Sequence, residues 1–191
     1  MTQTQTIARI GFRLGGMAIL LFAVAAGFGR ALPATADEAT ATCPIVGRAP
    51  RPGIDYDARY AVITFTNACG QPAPLRVDIA ADEARQETGL MNITSLPADQ
   101  GELFDFDNIA GGAPVQVGFW MKDTLVPLSI AFVSADGTVQ EIQDMQPQSL
   151  DIHTPAQPYL YAIEANQGWF ARNGVTAGAR VDVSAALALT H

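Results

Sequence analysis

The feature that most constrains the fold of this chain is an Ala-Asp-Gly turn at residues 135–137, which lies between a largely apolar segment and a second segment that contains the β-branched residues Thr138, Val139 and Ile142. The flanking segments are residues 128–134 and 138–142, and an Asp-Gly pair in this setting is typical of a tight β-hairpin. Further short segments that are β-branched, aromatic or alternately apolar occur at residues 60–65, 75–80, 103–106, 115–121, 159–164 and 180–184. This series of short strands and turns predicts a mainly β domain.

Two segments predict helices, and both are short. Asp82 can cap the first helix, Glu83 suits its first turn, and Gly89 ends it. The second covers residues 166–173 and ends at Gly174, because glycine tolerates the left-handed backbone found after many helices. Many short strands with two short helices predict an α+β fold, built as a single antiparallel β sandwich or barrel-like domain.

The N-terminus has the three parts of an export signal. Arg9 and Arg13 form a basic start, residues 14–28 are apolar, and residues 34–36 (Ala-Thr-Ala) match the small-residue pattern of a cleavage site. We therefore expect a signal peptide at residues 1–36 and a periplasmic or secreted protein. The alternative is an uncleaved membrane anchor, although the apolar part is short for a bilayer span.

Cleavage after Ala36 would leave three regions. Residues 37–58 are rich in Ala, Thr, Pro and Gly and should form an irregular extension. Residues 59–184 would form the β domain, and residues 185–191 a tail of uncertain order. The removed segment has three arginines and no acidic residue, so the net charge changes from −8 to −11. This acidic balance argues against nucleic acid and membrane surfaces as partners of the mature protein.

The chain contains two cysteines, Cys43 and Cys69. Two cysteines in an exported protein most often form a disulfide, which here would tether the N-terminal extension to the first strand. The alternative is a pair of unrelated thiols. No histidine or further cysteine lies near either one, and no metal or cofactor motif is present, so we expect neither a metal site nor a cofactor.

Lys122 is the only lysine in the chain and lies within an apolar segment, residues 118–128. If the alternation of a strand continues through this segment, Trp120 and Lys122 share one face and Asp123 lies on the other. The ammonium group could then stack on the indole ring. Asp123 and Thr124 would begin a turn.

Two interpretations of this segment remain open. The first is a pocket with an aromatic wall and one ammonium group, suited to an anionic or sugar-like ligand. The second is a structural ion pair between Lys122 and Glu164, because buried charges are usually paired. The candidate ligand-binding residues are Trp120, Lys122, Asp123, Thr124 and Glu164.

A series of motifs lies in a fixed order between residues 75 and 184: Gly-Leu-Met at residues 89–91, Phe-Trp-Met-Lys at residues 119–122, and Tyr-Ala-Ile-Glu-Ala-Asn at residues 161–166. This series resembles the DUF192 family, a set of small, largely uncharacterised bacterial and archaeal domains. The resemblance implies a compact, mainly β domain of sandwich or barrel type. It implies no established activity.

The chain differs from the usual residues of that family at three positions. Family members usually have Asn where this chain has Asp123, Asp where it has Ser129, and Met where it has Glu102. If the chemistry of the family needs the carboxylate at the Ser129 position, this chain would be impaired or would use Asp123 instead.

A loose acidic group is interpreted as a solvated face, because it lacks the glycine and the terminal glutamate of a calcium loop. Its members are Asp99, Glu102, Asp105, Asp107 and Asn108.

No motif for a serine nucleophile or a phosphate-binding loop is present, and His153, in a loop, is expected to be solvated. We therefore favour a non-catalytic exported domain that binds a small ligand, an envelope polymer or a protein partner. The alternative is an enzyme acting on a carbohydrate or other envelope substrate. That enzyme would use Lys122, Asp123 or Glu164 as acid–base groups.

Overall fold

The computed structural model describes residues Tyr60–Thr190. The predicted signal peptide at residues 1–36, the predicted extension at residues 37–58, Cys43 and His191 lie outside this range. The export signal, the domain boundaries and the disulfide between Cys43 and Cys69 therefore stay predictions.

Seven strands form the framework of the described residues: β1 (Tyr60–Thr66), β2 (Pro72–Ala80), β3 (Gln100–Asp105), β4 (Leu128–Val133), β5 (Val139–Met145), β6 (Tyr161–Asn166) and β7 (Arg180–Asp182). They build one sheet in the order β5-β4-β6-β3-β2-β1-β7. Within this sheet β2 and β3 are parallel, because the chain returns through a helix to the same end of the sheet. The other neighbouring pairs are antiparallel. The mainly β fold with short helices is confirmed.

The sheet curls until its two edge strands meet at one end. Thr138 and Arg180, which lie at the starts of β5 and β7, form an isolated bridge. Beside this bridge the amide of Val139 donates a hydrogen bond to the carbonyl of Ala179 at 2.9 Å. All seven strands of the described part belong to one sheet, so the domain is barrel-like rather than a two-sheet sandwich.

Alternate residues of each strand face the two sides of the sheet, and each side has its own core. The inner core takes residues from all seven strands and packs Phe65 against Trp169 and Phe170, with ring centroids 5.6 Å apart in both pairs. The outer core is centred on β3, β4 and β6, and side chains from residues 115–126 cover it. The site described below lies on this outer side.

The described residues contain four short helices, two more than the sequence predicts: α1 (Glu83–Thr88), α2 (Asp107–Ala110), α3 (Trp169–Arg172) and α4 (Ser184–Leu187). None of them is long and apolar enough to cross a membrane. Asp82 caps α1 as expected, since its carboxylate accepts a hydrogen bond from the amide of Arg85 at 2.9 Å. Helix α4 begins just before the predicted tail at residues 185–191, and it buries Ala186 in the inner core.

The strand predicted at residues 115–121 is wrong. Two isolated bridges hold this segment, one between Val115 and Tyr159 and one between Phe119 and His153. Gly118 lies so close to Ile152 that a Cβ atom on it would come within 2.3 Å of the isoleucine side chain. The alternating pattern is therefore produced by packing across the outer face and not by pairing within the sheet.

Candidate functional site

A row of carboxyl groups on three neighbouring strands lies at the site. Glu102 on β3 lies directly opposite Glu164 on β6, and on its other side it lies opposite Asp78 on β2. Residues opposite each other in an antiparallel pair have Cβ atoms about 5 Å apart. The fold therefore places Glu102 between two other carboxylate residues.

Burial disfavours the ionised form of the two glutamates. Glu102 exposes 6% of its surface and Glu164 exposes 5%. Burial raises the pKa of Glu164 to about 8. It is also the largest cause that raises the pKa of Glu102 to about 9, where the charges of Glu164 and Asp78 add to the effect and Arg85 opposes it. Both carboxyl groups are therefore mostly protonated at pH 7.

One oxygen of Glu102, Oε2, is buried without a hydrogen-bond partner. It faces the end of α1, where a Cβ atom on Gly89 would lie 3.6 Å from it. The nearby guanidinium of Arg85 is held elsewhere: it forms an ion pair with Asp82 at 3.4 Å and donates a hydrogen bond to the carbonyl of Ile79 at 3.1 Å. Leaving a buried polar atom unsatisfied costs about 1–3 kcal/mol.

Glu164 lies in the floor of a groove of about 590 Å³, which Glu102 and Asp78 do not line. Helix α1 and the residues that follow it form one wall, and residues 117–124 form the other. The side chains and glycines that line it are Glu83, Gln86, Glu87, Thr88, Gly89, Leu90, Met91, Phe104, Phe106, Val117, Gly118, Phe119, Trp120, Lys122, Thr124 and Glu164. We call this the aromatic groove.

Hydrogen bonds and aromatic packing fix both walls. Gln86 on α1 donates to the carbonyls of Ala80 at 3.2 Å and Asp105 at 3.0 Å, which holds the helix against β2 and β3. On the opposite wall Phe119 packs edge-on against Phe104, with ring centroids 4.9 Å apart. The two walls are thus held independently of any ligand.

Lys122 and Asp123 form the tip of a turn at the rim of the groove. The amide of Thr124 donates to the carbonyl of Met121 at 3.1 Å, and Asp123 has a left-handed backbone with a φ of 57°. Asparagine and aspartate tolerate this conformation better than other side chains do. The conformation therefore gives a structural reason for a short polar residue at position 123.

The charged groups of this turn are half exposed, unlike the buried Glu102 and Glu164. The Lys122 ammonium lies 3.9 Å from a carboxylate oxygen of Asp123 and 5.5 Å from the centre of the Trp120 ring. The side chains of Lys122 and Asp123 expose 51% and 57% of their surface. Among the described residues no ion pair joins Lys122 to Glu164, so that alternative is wrong.

The groove brings together four of the five candidate residues. Trp120 and Lys122 lie at the rim, Glu164 lies in the floor, and Thr124 lines the wall with its side chain buried. Asp123 is not among the lining residues, because the turn carries it away from the groove.

Comparison with known proteins then identifies the relatives of this chain. The model of the DUF192 family, described as an uncharacterized ACR, matches residues 64–183. The chain belongs to the DUF192 family.

Two solved structures are similar to this DUF192 chain. One is a proposed transcription regulator from Sinorhizobium meliloti 1021, which is 33% identical with a TM-score of 0.60, over 68% of this chain and 95% of the other. The second is a protein of unknown function from Novosphingobium aromaticivorans DSM 12444, which is 31% identical with a TM-score of 0.59, over 74% of this chain and 94% of the other. No curated protein matches this chain significantly.

The most informative residue of this DUF192 domain, Glu102, was misinterpreted from the sequence. Glu102 and Asp105 were both assigned to a solvated acidic face, and both are buried. Asp105 accepts hydrogen bonds from the amide of Asp107 at 3.0 Å and from the hydroxyl of Thr190 at 3.2 Å. The available signal was that Glu102 alternates with Phe104 and Phe106, which places all three on one side of a strand.

Ser129, where the DUF192 family usually has Asp, is also buried. Its hydroxyl donates to the carboxylate of Asp144, the residue opposite it on β5, at 2.5 Å and accepts from the amide of Gly168 at 2.8 Å. Asp144 therefore supplies a carboxylate beside Ser129.

His153, expected to be solvated, is half buried, and its ring Nδ1 lies 3.1 Å from the side-chain oxygen of Gln143.

The described residues contain no group of three or more His, Cys, Asp or Glu side chains arranged to hold a metal ion. The raised pKa values of Glu102 and Glu164 make this pair a proton-binding arrangement at neutral pH. Its chemistry is that of neutral carboxyl groups, which both donate and accept hydrogen bonds.

Proposed function

We propose that this DUF192 chain is an exported binding domain that takes a small organic ligand into the aromatic groove. The observation that carries the proposal is the composition of the groove. Aromatic side chains form its walls, Lys122 lies at its rim, and the carboxyl group of Glu164 lies in its floor.

The dimensions and the exposure of the groove support this function. Its volume of about 590 Å³ lies within the range of small-molecule sites, roughly 300–1,000 Å³. Trp120 leaves 46% of its surface exposed, which is unusual for so large an apolar side chain, and its ring lies where a flat or ring-shaped ligand could stack. The packed walls reduce the entropy that a ligand would have to offset on binding.

Ligand binding can be tested by tryptophan fluorescence and thermal unfolding of the mature protein. The chain has two tryptophans, and Trp169 is buried in the inner core, so a ligand-induced change in fluorescence should come from Trp120. We expect Trp120→Phe to remove that change. A suitable control is Leu150→Ala, which truncates an exposed apolar residue that does not line the groove. No response to sugars, amines, carboxylates or envelope polymers would count against a binding function.

The location of the protein forms part of the same proposal. The basic start, apolar centre and small-residue site at residues 1–36 support export, and export would favour a disulfide between Cys43 and Cys69. The mass of the protein recovered from the periplasm or medium tests the cleavage and the disulfide. Cleavage after Ala36 and the loss of two hydrogens on disulfide formation each change this mass by a known amount. An intact N-terminus in the cytoplasm would contradict them.

A second function is favoured by the raised pKa values of Glu102 and Glu164, because protonated carboxyl groups in a cleft are typical of general acids. The domain would then be an enzyme that acts on a carbohydrate or other envelope substrate, with Glu164 as the acid. Turnover of an envelope glycan by the wild type and not by Glu164→Gln would support it. Binding without turnover would support the first function.

A further inference from the structure

The unpartnered oxygen of Glu102 points to the chemical class of the ligand. This oxygen is buried beside the end of α1, and Glu102 lies directly opposite Glu164, which is part of the groove floor. Gly89 and Thr88 line both the aromatic groove and a smaller cleft of about 350 Å³ that includes Glu102. Glu164 and Glu102 therefore line adjoining clefts.

Acidic residues outnumber basic ones among the residues that line the groove. Glu83 and Glu87 on α1 line it together with Glu164, and among residues 60–190 Lys122 is its one basic lining residue. The ammonium of Lys122 is already engaged at the rim, close to Asp123 and over the Trp120 ring. Aromatic faces combined with carboxylates are the groups that recognise organic cations.

We propose that the aromatic groove binds an organic ammonium ion, whose charged end lies at the Glu102–Glu164 carboxyl pair and whose body packs against Trp120 and Phe119. This inference rests on the proposed binding function and names the class of its ligand. A bound cation favours the charged form of one carboxyl group of the pair. That carboxyl group therefore releases its proton to the solvent when the ligand binds.

The neighbouring charges determine how this exchange depends on pH. Glu102 faces Glu164 and Asp78 and is opposed by Arg85. Glu164 shares the groove with Glu83, Glu87 and Lys122. The proton competes with the ligand more strongly at pH 6 than at pH 8. The affinity for an ammonium ion should therefore rise with pH over this range, whereas the affinity for a neutral ligand should not.

Benzylamine and benzyl alcohol form a matched pair of probes, because they share a ring and differ in charge at neutral pH. We expect benzylamine to bind at least tenfold more tightly than benzyl alcohol to the mature protein at pH 7.5. Calorimetry in phosphate and in Tris buffer should show that benzylamine binding releases up to one proton. Glu164→Gln should remove the preference for the amine and retain the binding of the alcohol, with thermal unfolding as a check on its fold.

The outcomes separate this inference from the proposed function. Equal binding of the two probes, or an amine preference that survives in Glu164→Gln, would overturn the ammonium site and leave the binding groove standing. An amine preference lost in Glu83→Gln/Glu87→Gln but kept in Glu164→Gln would move the site to the rim and also overturn it. The binding function itself would be overturned if neither probe binds and if the fluorescence of Trp120 responds to no compound of the wider ligand panel.

Discussion

Two pairs of charged residues in this domain have opposite environments. Lys122 and Asp123 lie at the tip of a turn, half exposed and 3.9 Å apart, whereas Glu102 and Glu164 lie opposite each other on neighbouring strands and are buried. The exposed pair is solvated and contributes little to folding. The buried pair keeps its protons at neutral pH, because burial raises the pKa of both carboxyl groups and the charges of Glu164 and Asp78 raise that of Glu102 further.

The difference shows that the residues most conspicuous in the sequence do not carry the largest electrostatic effect. Lys122 is conspicuous because it is the only lysine. Glu102 is one of many acidic residues, yet its position in the sheet determines its protonation. The predictions below test this contrast from the largest expected effect to the smallest.

The largest effect should be the dependence of stability on pH. The pKa of Glu102 and that of Glu164 are raised in the folded state, so the unfolded chain loses these protons first as the pH rises above about 4.5. The free energy of unfolding should therefore fall between pH 5 and pH 8, by roughly 1 kcal/mol per pH unit for each group. Urea unfolding followed by circular dichroism measures this slope.

The double variant Glu102→Gln/Glu164→Gln serves as the matched control, because glutamine keeps the shape and does not titrate. The difference in free energy of unfolding between the wild type and this variant should change steadily from pH 5 to pH 8. Parallel curves for the two proteins would mean that the buried pair is ionised in the folded state.

A change to an apolar residue at Glu102 should stabilise the domain. Glu102→Leu removes a buried oxygen that has no hydrogen-bond partner, worth about 1 kcal/mol, and it also removes the proton linkage of this group, worth roughly 3 kcal/mol between pH 5 and pH 8. We therefore expect a gain of about 4 kcal/mol at pH 8. Chemical unfolding at pH 5 and pH 8 tests this, with a smaller gain at pH 5. A loss of stability at pH 8 would show that the carboxyl group has a partner that contributes to folding.

At the exposed pair the backbone should matter more than the charge. Asp123→Val places a β-branched residue at a φ of 57° and should cost about 1–2 kcal/mol, whereas Asp123→Asn should leave stability nearly unchanged. Comparing the melting temperatures of the two variants separates conformation from charge. Equal losses would assign the role of Asp123 to its charge.

The smallest effect on stability should come from Lys122→Met. The ion pair of Lys122 is half exposed, so its loss should change the free energy of unfolding by less than about 0.5 kcal/mol. Equilibrium unfolding at low and high salt measures this. A loss of several kcal/mol would show that Lys122 has a structural role, which its half-exposed position argues against.

Local sequence signals were sufficient to predict most strands and the first helix. The Asp-Gly turn identified the β4–β5 hairpin, and Asp82 identified the start of α1, because both depend on a few adjacent residues. The segment at residues 115–121 was misassigned because its alternation arises from packing against residues 149–159, which lie far away in sequence. The parallel pairing of β2 and β3 is also a long-range property.

The candidate site was predicted only in part, because part of its geometry also depends on long-range pairing. Trp120, Lys122 and Glu164 were selected by residue type, and the groove brings them together. Glu102 was missed, since its environment depends on the register between β3 and β6 and on the end of α1. Its alternation with Phe104 and Phe106 indicates the apolar side of a strand, but no local pattern shows that Glu102 lies between two other carboxylate residues.

The most direct test of the central claim is a carboxyl ¹³C NMR titration of the mature protein, with Glu102→Gln and Glu164→Gln used for assignment. We expect two glutamate resonances with midpoints above pH 7, and a lower midpoint for Glu102 once the charge of Glu164 is removed. Midpoints for both residues near the ordinary value of 4.5 would contradict the claim that this carboxyl pair is protonated at neutral pH.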